Sequence, residues 1–329
     1  MSNRQQYVST NGFNSHLREL KVGVPQGSVL GPILFNMYIN DLSNVSNGNK
    51  IFYADDAVFY FSYSSFNECL LHLNQGLKEI SEWLTKNRLI PNINKTKLML
   101  LTNRTAGILP PVYFNGEPLE WVNQIKHLGI FIDCKLSFKP HIQFVQRKLN
   151  QLHGVFYSMN NYMPMNILVK LYHSLVYPTI IQSLIIWGGV YPTNLTNIKI
   201  SINKILRQIL NIKYSVQNIP LTPTIEMYKS LNISTFDDVY KLFLLKFVHD
   251  VSYNNTQIFD KYFSPLLPIH NYDTRGIKIN LPNSRLDVVK HGTLFNCCNL
   301  INNIEDSFLQ PQSKFTLKKR FKTRYIDNY

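Results

Sequence analysis

Two adjacent aspartates between two short apolar segments constrain the fold of this chain more than any other feature. Asp55-Asp56 lies between residues 51–54 and 58–61, which are rich in aromatic and β-branched side chains. Apolar segments of this kind on either side of a short polar pair are typical of a β-hairpin. We therefore expect a hairpin that is buried nearly to its tip, with both carboxylates exposed there.

The acidic tip also predicts a binding site for a cation. Neighbouring carboxylates repel each other, and each resists ionisation unless a positive charge compensates it. Mg²⁺ prefers oxygen ligands and takes one or two carboxylates together with substrate phosphates. Asp55 and Asp56 are thus candidate metal ligands, although a solvated turn is the commoner setting of an isolated Asp-Asp dipeptide.

Periodic apolar residues predict helices around this hairpin. Ser28 is a candidate N-cap for a helix over about 30–42, and Ser65 with Glu68 matches a capping box before a helix over about 66–84. Strand-like runs follow at 97–101, 112–114 and 125–132. After residue 138 helical periodicity dominates, and residues 251–290 are rich in Asn, Pro and Asp, which predicts an irregular segment.

The charge of the chain points to an anionic partner. The sequence has 34 Lys and Arg against 20 Asp and Glu, and six of these cations lie within residues 314–324. Nucleic acid is the first candidate partner and an anionic membrane the second. No segment has the length and apolar character of a signal peptide or a membrane span, so we expect an intracellular protein that is not secreted.

Several motifs in a fixed order resemble the reverse transcriptases of non-LTR, LINE-type retrotransposons. Residues 53–56, Tyr-Ala-Asp-Asp, resemble the [FY]xDD box, and residues 23–35, about 28 residues earlier, resemble the family's GVPQGSxLGPxLF block. Residues 94–96 look like part of motif D, and residues 127–130 look like the primer-grip turn. The resemblance is specific over residues 1–140 and weak over 215–329.

The resemblance implies roles for individual residues. Asp55 would be the principal metal ligand, with Asp56 beside it, and Lys95 would be a cation near the departing pyrophosphate. The implied binding residues for template, nucleotide and primer are Pro25, Gln26, Gly27 and Tyr53, and the primer-grip turn would be Leu128 and Gly129. From the residues alone, the main expected role of Tyr53 is packing. Lys95 also fits a surface lysine, and Leu128-Gly129 also fits an ordinary turn between strands.

One part of the family's catalytic site has no counterpart. A reverse transcriptase palm carries a further aspartate in an FxDxxxAFD-like strand before the block at 23–35, whereas the only acid before Asp41 is Glu19. We therefore expect open edges beside the hairpin, and no activity from the chain by itself. The polymerase half that would carry this motif is an expected partner.

The resulting hypothesis is a fragment of an RNA-directed DNA polymerase with an α+β fold. We expect a partial palm with a mixed sheet and helices at 1–138, a helical thumb at 139–250, and a largely irregular, basic extension at 251–329. The intact enzyme would use Mg²⁺ or Mn²⁺, an RNA template, a DNA primer and deoxynucleotides, without a membrane, in the nucleus or cytoplasm. The alternatives are a non-catalytic RNA- or DNA-binding remnant and a helical protein with a chance acidic turn.

Overall fold

The computed structural model describes residues 4–20, 23, 27–104, 107–212, 224–267, 278–284 and 286–325. The fold of these residues is α+β, as predicted. The chain forms two compact units, one of residues 1–98 and 106–122 and one of residues 99–105 and 123–329. The boundaries expected near residues 138 and 250 concern functional regions of a polymerase and stay predictions.

The first unit combines two helices with short strands. Its helices are α1 (Leu30–Ile39) and α2 (Phe66–Lys86), and 3₁₀ turns cover Asn40–Asn44 and Ile93–Lys95. The strands are β1 (Arg4–Gln6), β2 (Ser9–Thr10), β3 (Phe13–Asn14), β4 (Arg18–Leu20), β5 (Asn49–Tyr53), β6 (Asp56–Tyr60), β7 (Lys97–Leu98), β8 (Val112–Phe114) and β9 (Glu117–Trp121). Strand β9 lies between β7 and β8, parallel to β7 and antiparallel to β8, and the other strands pair as β1-β4, β2-β3 and β5-β6.

Helix α2 organises the core of the first unit. Its apolar stripe is confirmed, because Ile80 is buried together with Trp83 and four leucines pack beside them, namely Leu70, Leu73, Leu77 and Leu84. Val112, Phe114 and Leu119 of the three-stranded sheet belong to the same core. The helix starts after Ser65 as expected, but the Ser65 hydroxyl forms no capping bond, so that part of the capping-box prediction is wrong.

Helix α1 is present where the sequence predicts it, with Pro32 in its first turn, but its apolar stripe is not buried. Leu30, Ile33 and Met37 are exposed, and Gly31 is its only buried residue. The Ser28 hydroxyl accepts a hydrogen bond from the backbone N–H of Gly31 at 3.0 Å, which resembles the predicted cap. The segment 30–42 is expected to pack against the hairpin, and it does so only at its end, where Ile39 and Leu42 share a core with Phe52 and Phe59.

The second unit is mainly helical. It begins with an antiparallel hairpin of β10 (Gln124–His127) and β11 (Ile130–Asp133). The helices are α3 (Lys139–Met159), α4 (Met165–Leu171), α5 (Tyr177–Ile181), α6 (Leu184–Trp187), α7 (Pro192–Ile209), α8 (Thr224–Ser230), α9 (Phe236–Tyr253), α10 (Thr256–Tyr262), α11 (Asp287–Lys290), α12 (Thr293–Asn303) and α13 (Lys314–Tyr325). A π-helical turn covers Tyr172–Val176, and 3₁₀ turns cover Ser264–Leu266 and Asp306–Phe308.

The predicted irregular C-terminal extension is wrong for the described residues. Helices α10 to α13 cover much of it, and their apolar side chains share cores with α9. Leu317 and Phe321 of the basic segment are 0% and 1% exposed, so this segment is an integrated helix and not a free tail. Among the described residues, no helix is both long and apolar enough to cross a membrane.

A buried histidine lies where the hairpin β10-β11 meets helix α3. The His141 ring is 1% exposed, and its Nδ1 accepts a long hydrogen bond of 3.5 Å from the backbone N–H of Phe131. Among the described residues, no hydrogen-bond partner lies near its Nε2. Burial, reinforced by the positive charge of Lys148, lowers the pKa of His141 from its usual 6.5 to about 4.

We predict that His141 makes the second unit sensitive to acid. The unfolded chain protonates this residue below about pH 6.5, whereas the folded chain resists protonation until about pH 4. The stability from the neutral ring is thus complete above pH 6.5 and lost as pH falls toward 4, by on the order of 3 kcal/mol. His141→Asn keeps an acceptor near Phe131. In this variant the free energy of unfolding, measured with urea, should fall less steeply between about pH 6.5 and pH 4.

His16→Asn is the matched control, because His16 is exposed in the first unit. In this variant the free energy of unfolding should fall with decreasing pH as steeply as in the unaltered chain. If the free energy of unfolding falls as steeply in His141→Asn as in the control, the assignment of the acid sensitivity to His141 is contradicted.

Candidate active site

The two predicted metal ligands lie at the tip of a two-stranded hairpin, as expected. Strands β5 and β6 pair with Tyr53 opposite Asp56, and Ala54 and Asp55 form the two-residue loop. Both aspartates are exposed, and neither forms an ion pair with any described residue. Two uncompensated carboxylates at one tip are an arrangement that attracts a cation.

The hairpin is anchored by one face only. Phe52 and Phe59 lie on the inner face and join the core around α2, with their ring centroids 5.7 Å apart in an edge-to-face arrangement. On the outer face Ile51 is 55% exposed and Tyr53, which shares this face with Asp56, is 63% exposed. The predictions of a hairpin buried nearly to its tip and of a packed Tyr53 are therefore wrong in this chain.

Both edges of this hairpin are unpaired within the described residues. Strands β5 and β6 form a sheet of two strands, and no described strand pairs with the outer edge of either. Exposed edges invite pairing with further strands. The expectation of open edges beside the hairpin is confirmed for the part of the chain that the structure describes.

The loop at the tip has a strained backbone. Ala54 has a φ of +52°, in the left-handed region that costs a residue with a Cβ roughly 1–2 kcal/mol. Hairpin loops with a positive φ at the first position favour glycine there. The aspartates therefore follow a residue whose backbone is held in an unfavourable conformation by the paired strands, as is common at functional sites.

The described residues supply only part of a metal site. No group of three or more His, Cys, Asp and Glu side chains lies close enough together to hold an ion, in the ranges that the structure describes. Asp55 and Asp56 fit a single ion that keeps water and substrate ligands. Asp41, a possible substitute for the absent aspartate, accepts a hydrogen bond from Trp83 Nε1 at 3.2 Å, which indicates a structural role.

The predicted template- and nucleotide-binding turn is only partly described. Pro25 and Gln26 lie outside the described residues. Gly23 and Gly27, at its two ends, have φ values of +83° and +77°, which side chains with a Cβ rarely adopt. Gly27 is exposed, so its backbone is accessible, and the binding roles of the three residues stay predictions.

Lys95 lies on a rigid turn after α2. Asn92 builds this turn, because its side chain accepts a hydrogen bond from the backbone N–H of Lys95 at 3.2 Å. The Thr96 hydroxyl donates to the Asn92 backbone carbonyl at 2.9 Å. Lys95 itself is exposed and pairs with no described carboxylate, so its side chain is available to an anion.

The predicted primer-grip residues form a tight turn in the second unit. Leu128 and Gly129 connect β10 and β11, with φ values of +45° and +85°. A Cβ at Gly129 would lie 2.5 Å from Nε2 of Gln182. Leu128 is exposed. The turn is confirmed as a turn, and its contact with a primer stays a prediction.

The structure reveals a role for Asp133 that the sequence analysis misses. This buried carboxylate accepts hydrogen bonds from the backbone N–H groups of Ser137 and Phe138 at 3.1 and 2.7 Å, and from the Ser137 hydroxyl at 2.9 Å. It thereby fixes the turn that leads from β11 into α3. The signal was available, since an aspartate shortly before a helix with a serine four residues later is typical of such a turn.

Two lysines, one on the hairpin β10-β11 and one on α3, also escaped the sequence analysis. Lys126 Nζ lies 5.8 and 5.9 Å from the ring centroids of Phe131 and Phe144, and Lys148 Nζ lies 4.6 Å from the Phe144 ring. Such cation–π contacts hold the ammonium groups in place. No local pattern identifies them, because β10 and α3 are brought together only by the fold.

We predict that Ala54→Gly stabilises the hairpin locally. Glycine adopts the positive φ without steric cost, so opening of β5 and β6 should require about 0.5–1 kcal/mol more free energy. Native-state hydrogen exchange of the hairpin amides measures this quantity. Ala57→Gly, an exposed position on β6, is the matched control and should lower it by about 0.5–1 kcal/mol. Equal losses in both variants would contradict the strain at Ala54.

Comparisons with known proteins agree with the motifs. Residues 3–132 match the family model described as reverse transcriptase (RNA-dependent DNA polymerase). The chain is 28% identical over 250 residues to a probable RNA-directed DNA polymerase from transposon BS of Drosophila melanogaster, covering 72% of this chain and 27% of the relative. It is also 28% identical over 214 residues to the RNA-directed DNA polymerase from mobile element jockey of Drosophila funebris, covering 61% of this chain and 23% of the relative.

These relatives are much longer than this chain. The chain spans about a quarter of the length of the curated relatives it matches. No solved structure matches it. The matches support a reverse transcriptase of the non-LTR retrotransposon type over residues 3–132, and the chain is similar to the RNA-directed DNA polymerases of these elements.

Proposed function

We propose that this chain is the C-terminal part, from the turn at residues 23–28 onward, of an RNA-directed DNA polymerase of a non-LTR retrotransposon. The observation that carries the proposal is the exposed Asp55-Asp56 pair at the tip of an open-edged hairpin, within the region that matches the reverse transcriptase model. The intact enzyme would extend a DNA primer on an RNA template with deoxynucleotides. It would act inside the cell, in the nucleus or cytoplasm.

The proposed roles follow the positions of the residues. Asp55, with Asp56 beside it, would hold Mg²⁺ or Mn²⁺. That ion would stabilise the charge that develops during transfer of the nucleotidyl group. Lys95, which is exposed on a rigid turn, would bind the departing pyrophosphate.

The substrate-binding residues would act mainly through shape and hydrogen bonds. Pro25, Gln26 and Gly27 would contact the template base and the incoming nucleotide, because glycine lets a backbone approach its ligand closely. Tyr53, which is exposed on the same face as Asp56, would contact the primer end. Leu128 and Gly129 would position the primer strand.

We further propose that the chain does not catalyse polymerisation by itself. Phosphoryl-transfer enzymes depend on positioning and charge stabilisation, and two metal ions about 4 Å apart need more ligands than one acidic tip provides. Among the described residues no third ligand joins Asp55 and Asp56. No catalytic step is therefore assigned to this chain without a further carboxylate.

The exposed apolar surfaces of the first unit support a partner that supplies this carboxylate. Leu30, Ile33 and Met37 of α1 are exposed, as are Ile51 and Tyr53 on the outer face of the hairpin. Apolar surface of this extent marks contact sites. We propose that an N-terminal polymerase half, with its own aspartate-bearing strand, pairs with the open edge and covers these residues.

A second candidate function is nucleic-acid binding without catalysis. The observation in its favour is the net charge of +14 together with the incomplete metal site. Such a remnant would bind RNA or DNA through phosphate contacts, with little sequence preference and with strong weakening by salt. The two candidates differ in whether any added polymerase half restores synthesis.

We predict that the purified chain gives no primer extension with Mg²⁺ or Mn²⁺. Fused to the upstream polymerase segment of one of the curated relatives, it should extend a primer on an RNA template. Asp55→Ala in the fusion should lower the rate by about 10³-fold or more, since the tip would lose its principal metal ligand. Primer extension on a labelled primer measures both results.

Glu82→Gln is the matched control, because Glu82 is an exposed acid of the same unit on α2. This variant should leave the rate of the fusion unchanged. Extension by the unfused chain that Asp55→Ala abolishes would contradict the proposed inactivity. Binding without extension in every fusion would favour the non-catalytic candidate.

A further inference from the structure

Helix α13 presents a row of lysines on one side. Lys314, Lys318 and Lys322 are four residues apart, which places them on one flank of the helix with neighbouring Cβ atoms about 5–6 Å apart. The orientation of the helix is fixed, because Leu317 and Phe321 are buried in a core shared with α9 and Phe308. The row is therefore held on the surface of the second unit.

Two cationic side chains from other elements lie beside this row. Lys246 of α9 is half-buried, with Nζ 5.3 Å from the Phe243 ring centroid, and its pKa is lowered by burial and then by Lys318 and Lys314. His173, on the π-helical turn, has a pKa lowered by partial burial and then by Lys318 and Lys322. Lys318 contributes to both pKa shifts, so it lies near both groups. We name these four residues, His173, Lys246, Lys318 and Lys322, the Lys318 surface.

The Lys318 surface is not neutralised within the described residues. Lys314 forms an ion pair with Asp250 at 2.8 Å, so it belongs to the rim. None of the three lysines of the Lys318 surface forms an ion pair with a described carboxylate. On the opposite flank of α13, by contrast, Arg324 pairs with Glu305 at 2.7 Å and Arg320 donates to the Ser307 carbonyl at 3.0 Å.

The cations on the two flanks of this helix therefore differ in role. One flank uses arginines to hold the fold, and the other concentrates lysines that repel one another. A concentration of like charge on a rigid surface lowers stability unless an anion relieves it. A polyanion that contacts several of these lysines together would gain most from this arrangement, because it releases its condensed counterions.

We propose that the Lys318 surface binds the phosphate backbone of nucleic acid, as a contact separate from the site at Asp55. The inference rests on the proposed function for the identity of the polyanion. An anionic membrane is less suited, because a helix that binds a bilayer inserts its apolar face, whereas Leu317 and Phe321 are 0% and 1% exposed. Phe315 of this helix is 78% exposed and is available to stack on a base.

The test measures the salt dependence of binding to a labelled single-stranded RNA oligonucleotide. Each lost phosphate contact on a single strand should make the negative slope of log affinity against log salt shallower by about 0.7. Lys318→Gln with Lys322→Gln should therefore reduce the magnitude of this slope by about 1.4 between about 50 and 200 mM salt. The matched control is Lys229→Gln with Lys261→Gln, two exposed lysines on α8 and α10 of the same unit, and its slope should stay unchanged.

A second readout reports on the surface directly. The His173 ring, identified in NMR spectra by its absence in His173→Asn, faces the cations Lys318 and Lys322 and the rings of Tyr172 and Tyr177. Bound phosphates favour the charged imidazolium, so the oligonucleotide should raise the pKa of His173. Removal of the two lysines should raise it in the free protein too.

The outcomes separate this inference from the proposed polymerase function, since neither readout needs synthesis. A slope equal to that of the control variant, with an unchanged His173 pKa on binding, would overturn the proposal while leaving the polymerase assignment in place. Loss of binding to phosphatidylserine vesicles in Lys318→Gln with Lys322→Gln, with RNA binding intact, would overturn it in favour of a membrane surface. Unaltered thermal unfolding of both double variants ensures that the comparison concerns folded protein.

Discussion

The packing of Phe52 and Phe59 against the core around α2 is the interaction on which the candidate active site depends. A two-stranded hairpin is marginally stable by itself in water. Here the two rings bury one face of β5 and β6, while the outer face is exposed and no described strand pairs with either edge. The pairing of the strands, once anchored, holds Ala54 at its unfavourable φ and presents Asp55 and Asp56 to solvent.

The sequence predicted the local elements of this site because local patterns determine them. The apolar segments of β5 and β6, the Leu128-Gly129 turn and the stripe of α2 each depend on residues close in the chain. The predicted burial was wrong because burial depends on contacts that local patterns do not determine. Tyr53 and the α1 residues Ile33 and Met37 have the composition of core side chains, but composition does not tell which surface covers them.

In the C-terminal region composition misled in the opposite sense, because it predicted an exposed tail where the structure has a packed helix. Residues 314–324 read as a basic tail because cations dominate their composition, yet two apolar residues four apart, Leu317 and Phe321, fix the helix in a core. Two of their partners, Leu242 and Leu245 of α9, lie far away in the sequence. Similarly, nothing near Lys126 in the chain identifies the helix that it contacts through Phe144.

On the proposed function, each unit carries a different part of the machinery. The first unit carries the acidic tip, and its chemistry depends on a ligand that the described residues do not provide. The second unit carries the Leu128-Gly129 turn and the Lys318 surface, and both are held by buried side chains of that unit itself. Phosphate binding needs only fixed positive charge, whereas nucleotidyl transfer needs several oxygen ligands placed together. On the proposed function, a metal site without a third ligand would therefore prevent nucleotidyl transfer without affecting the phosphate contacts of the second unit.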